Sequence, residues 1–380
     1  MKTTRIAVST FFFVNGFLYA NWTSRLPELQ AFYQVSNALL GTLLFISAAG
    51  ALLAMPFSGW FITRYGSRQI TRWMALLFCC IVPFLPLSPV WLIAGGLFFV
   101  LGLTSGTLDV AMNGQAVFVE RAWNKPIMSS FHAVFSIGMA LGAGSGALFA
   151  KFHWSLPAHF GIVAAFGAIA VVWAAFHLIN DSPDPAERQQ GSGKRFLLPT
   201  KAILPLGVVA FCCMTGEGAM ADWSAIYMNK VIGKDEFLSA LAFGSFAAAM
   251  TTGRIFGDYF TMQLGKYRLL VYNSILAICG LALALAIPSE WTTLSGFFLV
   301  GLGLATVVPI VYSTAGNTPG VPPSVGIAMA TSIGYAGFFI GPPVTGFLAD
   351  SLGLRVGLCF TLLLFLVMLM LVGSLNRRNR

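Results

Sequence analysis

From Trp291 to Ala349 the chain runs 59 residues without one Asp, Glu, Lys or Arg, and comparable stretches recur from end to end. A soluble domain carries charge at roughly a quarter of its positions. Here Asp, Glu, Lys and Arg make up 9% of the residues. Such a chain is solvated mainly by lipid. Backbone groups in hydrocarbon must be satisfied within the protein, and apolar runs of about 20 residues match a helix crossing a bilayer. The prediction is therefore an all-α membrane protein.

With Pro, Gly and Asn as punctuation, twelve candidate helices emerge at 5–26, 37–62, 70–87, 90–119, 126–150, 157–179, 202–229, 236–262, 268–287, 291–315, 323–349 and 354–375; eleven is the alternative count. Pro83, Pro86, Ser88 and Pro89 separate the third from the fourth, and Asn317, Pro319, Gly320, Pro322 and Pro323 separate the tenth from the eleventh. With the N-terminus in the cytoplasm, that side collects 17 of the 22 basic residues, including Arg64, Arg68, Arg188, Lys194, Arg195, Arg254 and Arg380. Positive charge inside is the usual bias. A multi-pass membrane protein with both termini cytoplasmic is thus expected. The net charge of +9 follows from topology, so no nucleic-acid partner is expected.

Lys2 and Arg5 before an apolar run could open a secretory signal, but no small-x-small cleavage pattern follows. The six cysteines all fall inside predicted spans and read as small apolar residues, with no metal or cofactor site among them.

Offsets near 200 residues bring the two halves into register. Ala20-Asn21-Trp22-Thr23 matches Ala221-Asp222-Trp223-Ser224 at 201, Gly138 and Gly142 match Gly337 and Gly341 at 199, and Gly66 falls on Gly265 at 199. The expected organisation is two six-helix pseudo-repeat bundles, 1–180 and 202–380, joined by a cytoplasmic linker at 181–201.

Gly59-Trp-Phe-Ile-Thr-Arg64-Tyr-Gly66-Ser-Arg68 after the second span resembles the loop signature of the major facilitator superfamily, and Gly253-Arg254-Ile-Phe-Gly257-Asp258 resembles its second-half counterpart. Asp109-Val-Ala-Met-Asn113, Met128-Ser-Ser-Phe-His132 and Gly341-Pro342-Pro343-x-x-Gly346 narrow the resemblance to the MosC/YbjJ-type group of bacterial inner-membrane transporters. The resemblance implies the major facilitator fold, with a site at midplane between the bundles and access alternated by rocking. It also implies that the first, fourth, seventh and tenth helices line the cavity, and that Arg64, Gly66, Arg68, Arg254 and Asp258 belong to gating loops. One departure stands out: the acidic residue usual in the first loop signature is Thr63 here.

An ionisable group at membrane depth costs on the order of 3 kcal/mol unless paired or hydrated, so each invites a functional reading. Glu217, between Gly216 and Gly218 in the seventh span, reads as a proton-titrating or substrate-binding carboxylate, with an interhelical hydrogen bond as the plain alternative. Asp222 lies five residues on, a rotation of about 140°, and so cannot share its face. Asp222 suits polar packing near an outer gate. Asp109 and Asn113, with Ser105 a turn earlier, form a polar stripe for solute, coupling or helix contact. His132, with Ser129 and Ser136, could relay protons or simply be hydrogen-bonded. Asn15, Tyr19 and Trp22 share one face of the first helix, suited to a small polar solute, while Trp22 and Trp223 could equally be interfacial anchors. Arg25 at the outer mouth reads as snorkelling or paired. Tyr335, Thr331 and Tyr312 are lesser candidates. Gly138, Gly142 and Gly146 recur every four residues and read as close helix packing.

No phosphate-binding loop ending in Lys-Ser/Thr is present, so energy would come from an ion gradient, with protons favoured. The leading reading is a secondary active transporter, expected as a monomer, for a small polar organic solute. A drug or metabolite efflux pump is the alternative. An intramembrane enzyme is the distant one, because nothing pairs a nucleophile with a base.

Overall fold

The computed structural model describes residues 1–87, 89–181 and 200–378. Most of the expected linker at 181–201, with Arg188, Lys194 and Arg195, lies outside the described residues, as does Arg380. Among the described residues, every regular element is helical: α1 (Lys2–Thr23), α2 (Leu26–Tyr33), α3 (Asn37–Tyr65), α4 (Ser67–Ile81, continued by a tight turn over Val82–Leu87), α5 (Trp91–Trp123), α6 (Met128–Lys151), α7 (Leu156–Ala175), α8 (Leu204–Lys230), α9 (Glu236–Leu264), α10 (Lys266–Ala286), α11 (Glu290–Leu304), α12 (Val307–Gly316), α13 (Pro323–Leu352) and α14 (Leu354–Arg378). Among the described residues, ten spans are long and apolar enough to cross a membrane, α11 and α12 together forming one of them; α1 and α9, of 22 and 29 residues, bring the number to twelve.

Two features depart from the predicted spans. Short α2 follows α1 outside any span, and its Tyr33 hydroxyl donates to the Leu85 carbonyl at 2.6 Å. The tenth span is not continuous but breaks between Leu304 and Val307.

Single glycines join α3 to α4 and α9 to α10. Gly66 (φ 84°) and Gly265 (φ 78°) sit in the left-handed half of backbone space, where any side chain is strained. Their match in sequence is thus a match of turns.

The chain forms two compact units, Met1–Asn124 with Val134–Leu198 and Gly316–Met329, and Lys125–Ala133 with Pro199–Ala315 and Ala330–Arg380. In the first, α1 crosses α6 at very short range: a Cβ on Gly138 would come within 2.4 Å of the Phe13 carbonyl oxygen, and one on Gly142 within 2.3 Å of that of Phe17. In the second, α8 crosses α13 likewise, with Gly337 against the Phe211 carbonyl (2.6 Å) and Gly341 against Thr215 (2.9 Å). Small residues let backbones approach where no hydrophobic force drives helices together. The two crossings use partners 198 and 199 residues apart, so each half repeats the same contact.

In the first unit, the Asp181 carboxylate accepts the backbone N–H groups of Ser67 (2.7 Å) and Arg68 (3.0 Å) at the start of α4. These donors have no intrahelical partner, and the helix end favours negative charge. Gln115 supports the cap from α5, donating to Ser67 Oγ at 2.7 Å and accepting the Ile179 N–H at 3.0 Å.

Candidate transport site

In the second unit, Glu217 stands at the middle of α8 with its side chain 27% exposed, and Arg254 of α9 faces it, Nη2 to Oε1 3.6 Å apart. The flanking glycines are there for packing: a Cβ on Gly216 would meet the Phe365 ring at 2.4 Å, and one on Gly218 the Phe338 ring at 3.1 Å. Asp222, one and a half turns on, is exposed and makes no side-chain hydrogen bond or ion pair with the described residues.

Arg254 also reaches the broken tenth span. Pro309 has no N–H to give the carbonyl four residues earlier, which is that of Ala305. Arg254 Nε supplies a donor instead, at 3.4 Å. Beside it, the Cys213 thiol donates to the Leu304 carbonyl at 3.7 Å and receives the Val308 backbone N–H, so a sulfur stands within the helix ladder. Asn273 of α10 donates to Thr306 Oγ1 at 2.6 Å. Helix α9 can come this close because of its glycines: a Cβ on Gly253 would lie 2.5 Å from that of Ala305, and one on Gly257 2.4 Å from Thr306 Cγ2. His132, 8% exposed at the start of α6, lies with its ring 6.0 Å from that of Tyr312 on α12.

In the first unit, Asp109 and Asn113 share a face as their spacing predicts. Asn113 is fully buried and donates back to Asp109, to its carbonyl at 2.8 Å and to Oδ1 at 3.2 Å. Asn15 is also buried and points its amide at Met112 Sδ, 3.8 Å away, so part of its polarity serves the α1–α5 contact. Tyr19 is 41% exposed. Trp22 is not an interfacial anchor: it is 2% exposed, packed edge-on to Phe98 (5.6 Å) and Tyr19 (5.4 Å). The indole nitrogens of Trp22 and of its repeat partner Trp223 are both buried without an acceptor among the described residues.

Comparison with known proteins settles the family. The Major Facilitator Superfamily model matches residues 8–325. The chain belongs to the major facilitator superfamily. An uncharacterised MFS-type transporter of Yersinia pestis is 33% identical over 368 residues, 96% of this chain and 93% of that one. The membrane protein MosC of Rhizobium meliloti is 32% identical over 360 residues, covering 94% and 87%. Among solved structures, the fold is similar to that of FucP in its outward conformation (TM-score 0.76, 12% identity, 97% of each chain) and of the human organic anion transporter MFSD10 (TM-score 0.78, 15% identity, 98% and 99%). The protein is a transporter, not an enzyme.

The loop residues of the transporter divide by role. Asp258 accepts the backbone N–H groups of Ser129 and Ser130 at the start of α6. Gly59, 199 residues earlier, has no carboxylate and instead packs on Ala328, where a Cβ would come to 3.2 Å. Thr63 spends its hydroxyl on the Trp60 carbonyl at 2.9 Å. Arg64 lies over the rings of Trp60 (5.6 Å) and Tyr65 (5.7 Å). Arg68 contributes its backbone to the Asp181 cap. Tyr335 packs edge-on to Phe338 (5.8 Å).

Sequence reading missed a second polar centre in the transporter. Arg25, 4% exposed, is indeed paired, and with more than Glu28: Nη1 meets His159 Nδ1 at 3.1 Å and Nη2 donates to the Trp154 carbonyl at 2.9 Å. His159 Nε2 meets Asn21 Oδ1 at 2.8 Å, and Ser145 Oγ donates to the same oxygen at 3.0 Å. A histidine three residues into an apolar span was the available signal. Likewise, Pro309 inside the tenth span marked its break.

Proposed function

We propose that this transporter moves a small polar organic solute, sugar-, polyol- or amine-like, across the bacterial inner membrane by alternating access coupled to protons. In this reading the blocks 1–180 and 202–380 carry the transport cycle, joined by the linker at 181–201, and the working unit is a monomer. The bias of basic residues supports an orientation with both termini in the cytoplasm.

The observation that carries the reading is the pairing of Glu217 with Arg254 at 3.6 Å inside the bilayer-spanning part of the second unit. A carboxylate there can take up and release a proton, while the guanidinium remains charged. Protonation of Glu217 removes the negative charge that faces Arg254, and so changes the energetics of the pair. A solute-facing role falls to Tyr19 and Asp109 in the first unit, beside the unpartnered indole N–H of Trp22. A hydroxyl-bearing solute supplies the acceptor that this N–H lacks. The glucose/mannose transporter GlcP of Bacillus subtilis, 22% identical over 324 residues, is named for solutes of that chemistry. His132, Asn113, Asn15, Asp222 and Tyr335 support the same pathway, and Asp258 with Arg64, Gly66 and Arg68 the gating loops.

The test is uptake by proteoliposomes under an imposed proton gradient, screened with labelled hexoses, polyols and amines. Wild type accumulates its solute uphill and also exchanges it. Glu217→Gln keeps exchange but loses accumulation. A mutant that accumulates as well as wild type removes Glu217 from the coupling role.

A further inference from the structure

We propose that the edge where α4 meets α7 in the first unit, cytoplasmic in the orientation given above, binds an anionic phospholipid whose phosphate is held by Arg68 and Arg72. The occupant is a component of the bilayer, distinct from the transported solute.

The charge there is one-sided. From Leu29 to Leu108 the chain has no Asp or Glu, and Arg64, Arg68 and Arg72 all fall within that stretch. Thr63 stands where the loop signature usually carries an acid. Among the described residues, no carboxylate lies within ion-pair reach of any of the three arginines. Arg68 and Arg72 are four apart in α4, so they share a face, where like charges repel.

What the pair finds on α7 is backbone. Arg72 gives Nε (2.8 Å) and Nη2 to the single carbonyl of Ala175, and Arg68 gives Nη2 to that of Phe176 at 3.5 Å. Those bonds cap the end of α7, where the helix dipole favours cations. They do not neutralise anything. The Nε of Arg68 is buried and has no acceptor among the described residues. A guanidinium carries five N–H donors, so most of those on the pair have no acceptor among the described residues. A phosphodiester supplies a negative charge and several acceptor oxygens, matched to the guanidinium fork.

The surroundings fit a lipid rather than a free anion. Phe166, Ile169, Trp173 and Phe176 follow at three- and four-residue steps along one face of α7, and all are exposed. This apolar stripe, suited to an acyl chain, ends at the residue whose carbonyl Arg68 takes. On α4, Trp73 follows Arg72 directly, exposed and packed on the Tyr65 ring (6.0 Å), while Arg64 lies over Tyr65 and Trp60. Tryptophan and tyrosine mark the headgroup level of a membrane, and basic pockets between helices at that level on the cytoplasmic side suit anionic headgroups.

The full protein in nanodiscs of phosphatidylcholine, with and without phosphatidylglycerol, is read by thermal unfolding, and native mass spectrometry measures the phosphatidylglycerol it retains. Wild type is expected to melt higher when phosphatidylglycerol is present and to retain it. Arg68→Gln and Arg72→Gln should each weaken retention about fivefold, and the double variant about twenty-five-fold, as for two basic residues facing an anionic lipid. Arg355→Gln is the control. That arginine also caps a helix, on the Leu285 (2.6 Å) and Ala286 (3.3 Å) carbonyls of α10, and its loss should lower melting equally in both lipids. Inorganic phosphate added to phosphatidylcholine nanodiscs is expected to give no stabilisation.

If Arg68→Gln and Arg72→Gln lower melting by the same amount with and without phosphatidylglycerol and leave its retention unchanged, the two arginines only cap α7 and the proposal falls. Stabilisation by inorganic phosphate equal to that by phosphatidylglycerol also overturns it, by making the occupant a free anion. Should the double variant fail to fold, Arg68→Gln alone decides, because its side chain's one bond to the described residues is the long contact with Phe176.

Discussion

The carboxylate of Asp258 takes the backbone N–H of Ser129 at 2.8 Å through one oxygen and that of Ser130 at 2.9 Å through the other. Three things meet in that contact: the unpaired donors of a helix start, the favourable end of its dipole, and an ionised group of opposite sign. The matching place in the first half, Gly59, carries no such group. The two loop signatures are therefore alike in sequence and unlike in mechanism.

Removing the Asp258 cap should lower stability in proportion to what remains. Asp258→Asn keeps one acceptor but no charge, a loss of about 1 kcal/mol. Asp258→Ala leaves two helix donors unpaired, a loss of about 1–3 kcal/mol. Thermal unfolding of the purified protein should rank wild type above Asn above Ala. Gly59→Asp should not build a matching cap, because its Cβ already crowds Ala328, and its melting point should fall. An alanine variant of Asp258 melting with wild type would show that the cap contributes nothing.

Gly142 and Gly144 are two residues apart and should respond in opposite ways. A Cβ at Gly142 meets the Phe17 carbonyl at 2.3 Å, whereas one at Gly144 meets nothing within 4 Å. Gly142→Val should force α1 and α6 apart at a cost of about 1–3 kcal/mol. Gly144→Ala should be neutral or stabilising, through a less flexible unfolded chain. Detergent-resistant melting of tagged variants reads both.

The buried pair of Arg25 and His159 fixes a tautomer. Arg25 donates to Nδ1, so the ring hydrogen belongs on Nε2, where Asn21 Oδ1 accepts it. Nitrogen-15 shifts of His159 should report a neutral ring protonated at Nε2. Arg25→Met should lose that preference and leave the Trp154 carbonyl unpaired, destabilising by about 1–3 kcal/mol. An imidazolium signal in wild type would contradict the arrangement.

Tyr33 gives a pH dependence. Burial holds its phenol proton well above the ordinary value of about 10. The folded state thus binds this proton more tightly than the unfolded chain. The stability it brings is complete below pH 10 and falls as pH rises beyond. Tyr33→Phe loses the bond to Leu85, about 1 kcal/mol, and should show a shallower decline in melting temperature above about pH 10.

Much of the architecture was legible from local pattern. Desert length gave the spans, and the shared offset of Gly66 with Gly265 and of Gly138 with Gly337 pointed to turns and crossings that the structure builds twice. Glu217 stood out because charge at membrane depth is rare. Its partner did not, since Arg254 belongs to a signature read as a loop. Trp22 looked interfacial by position and is core by packing. The tenth span read as continuous because hydropathy averages over a turn, and a break of two residues leaves the average unchanged.

Lipid solvation, helical form and internal duplication follow from the sequence alone, because bilayer thickness and backbone hydrogen bonding act on each segment separately. Which side chain satisfies which group is another matter. That Arg254 lies between Glu217 and a carbonyl freed by Pro309, or that His159 receives Arg25 across more than a hundred residues, depends on how helices cross. Crossings are set by the shapes of small and large residues on several helices together, and only the folded structure brings those shapes into one place.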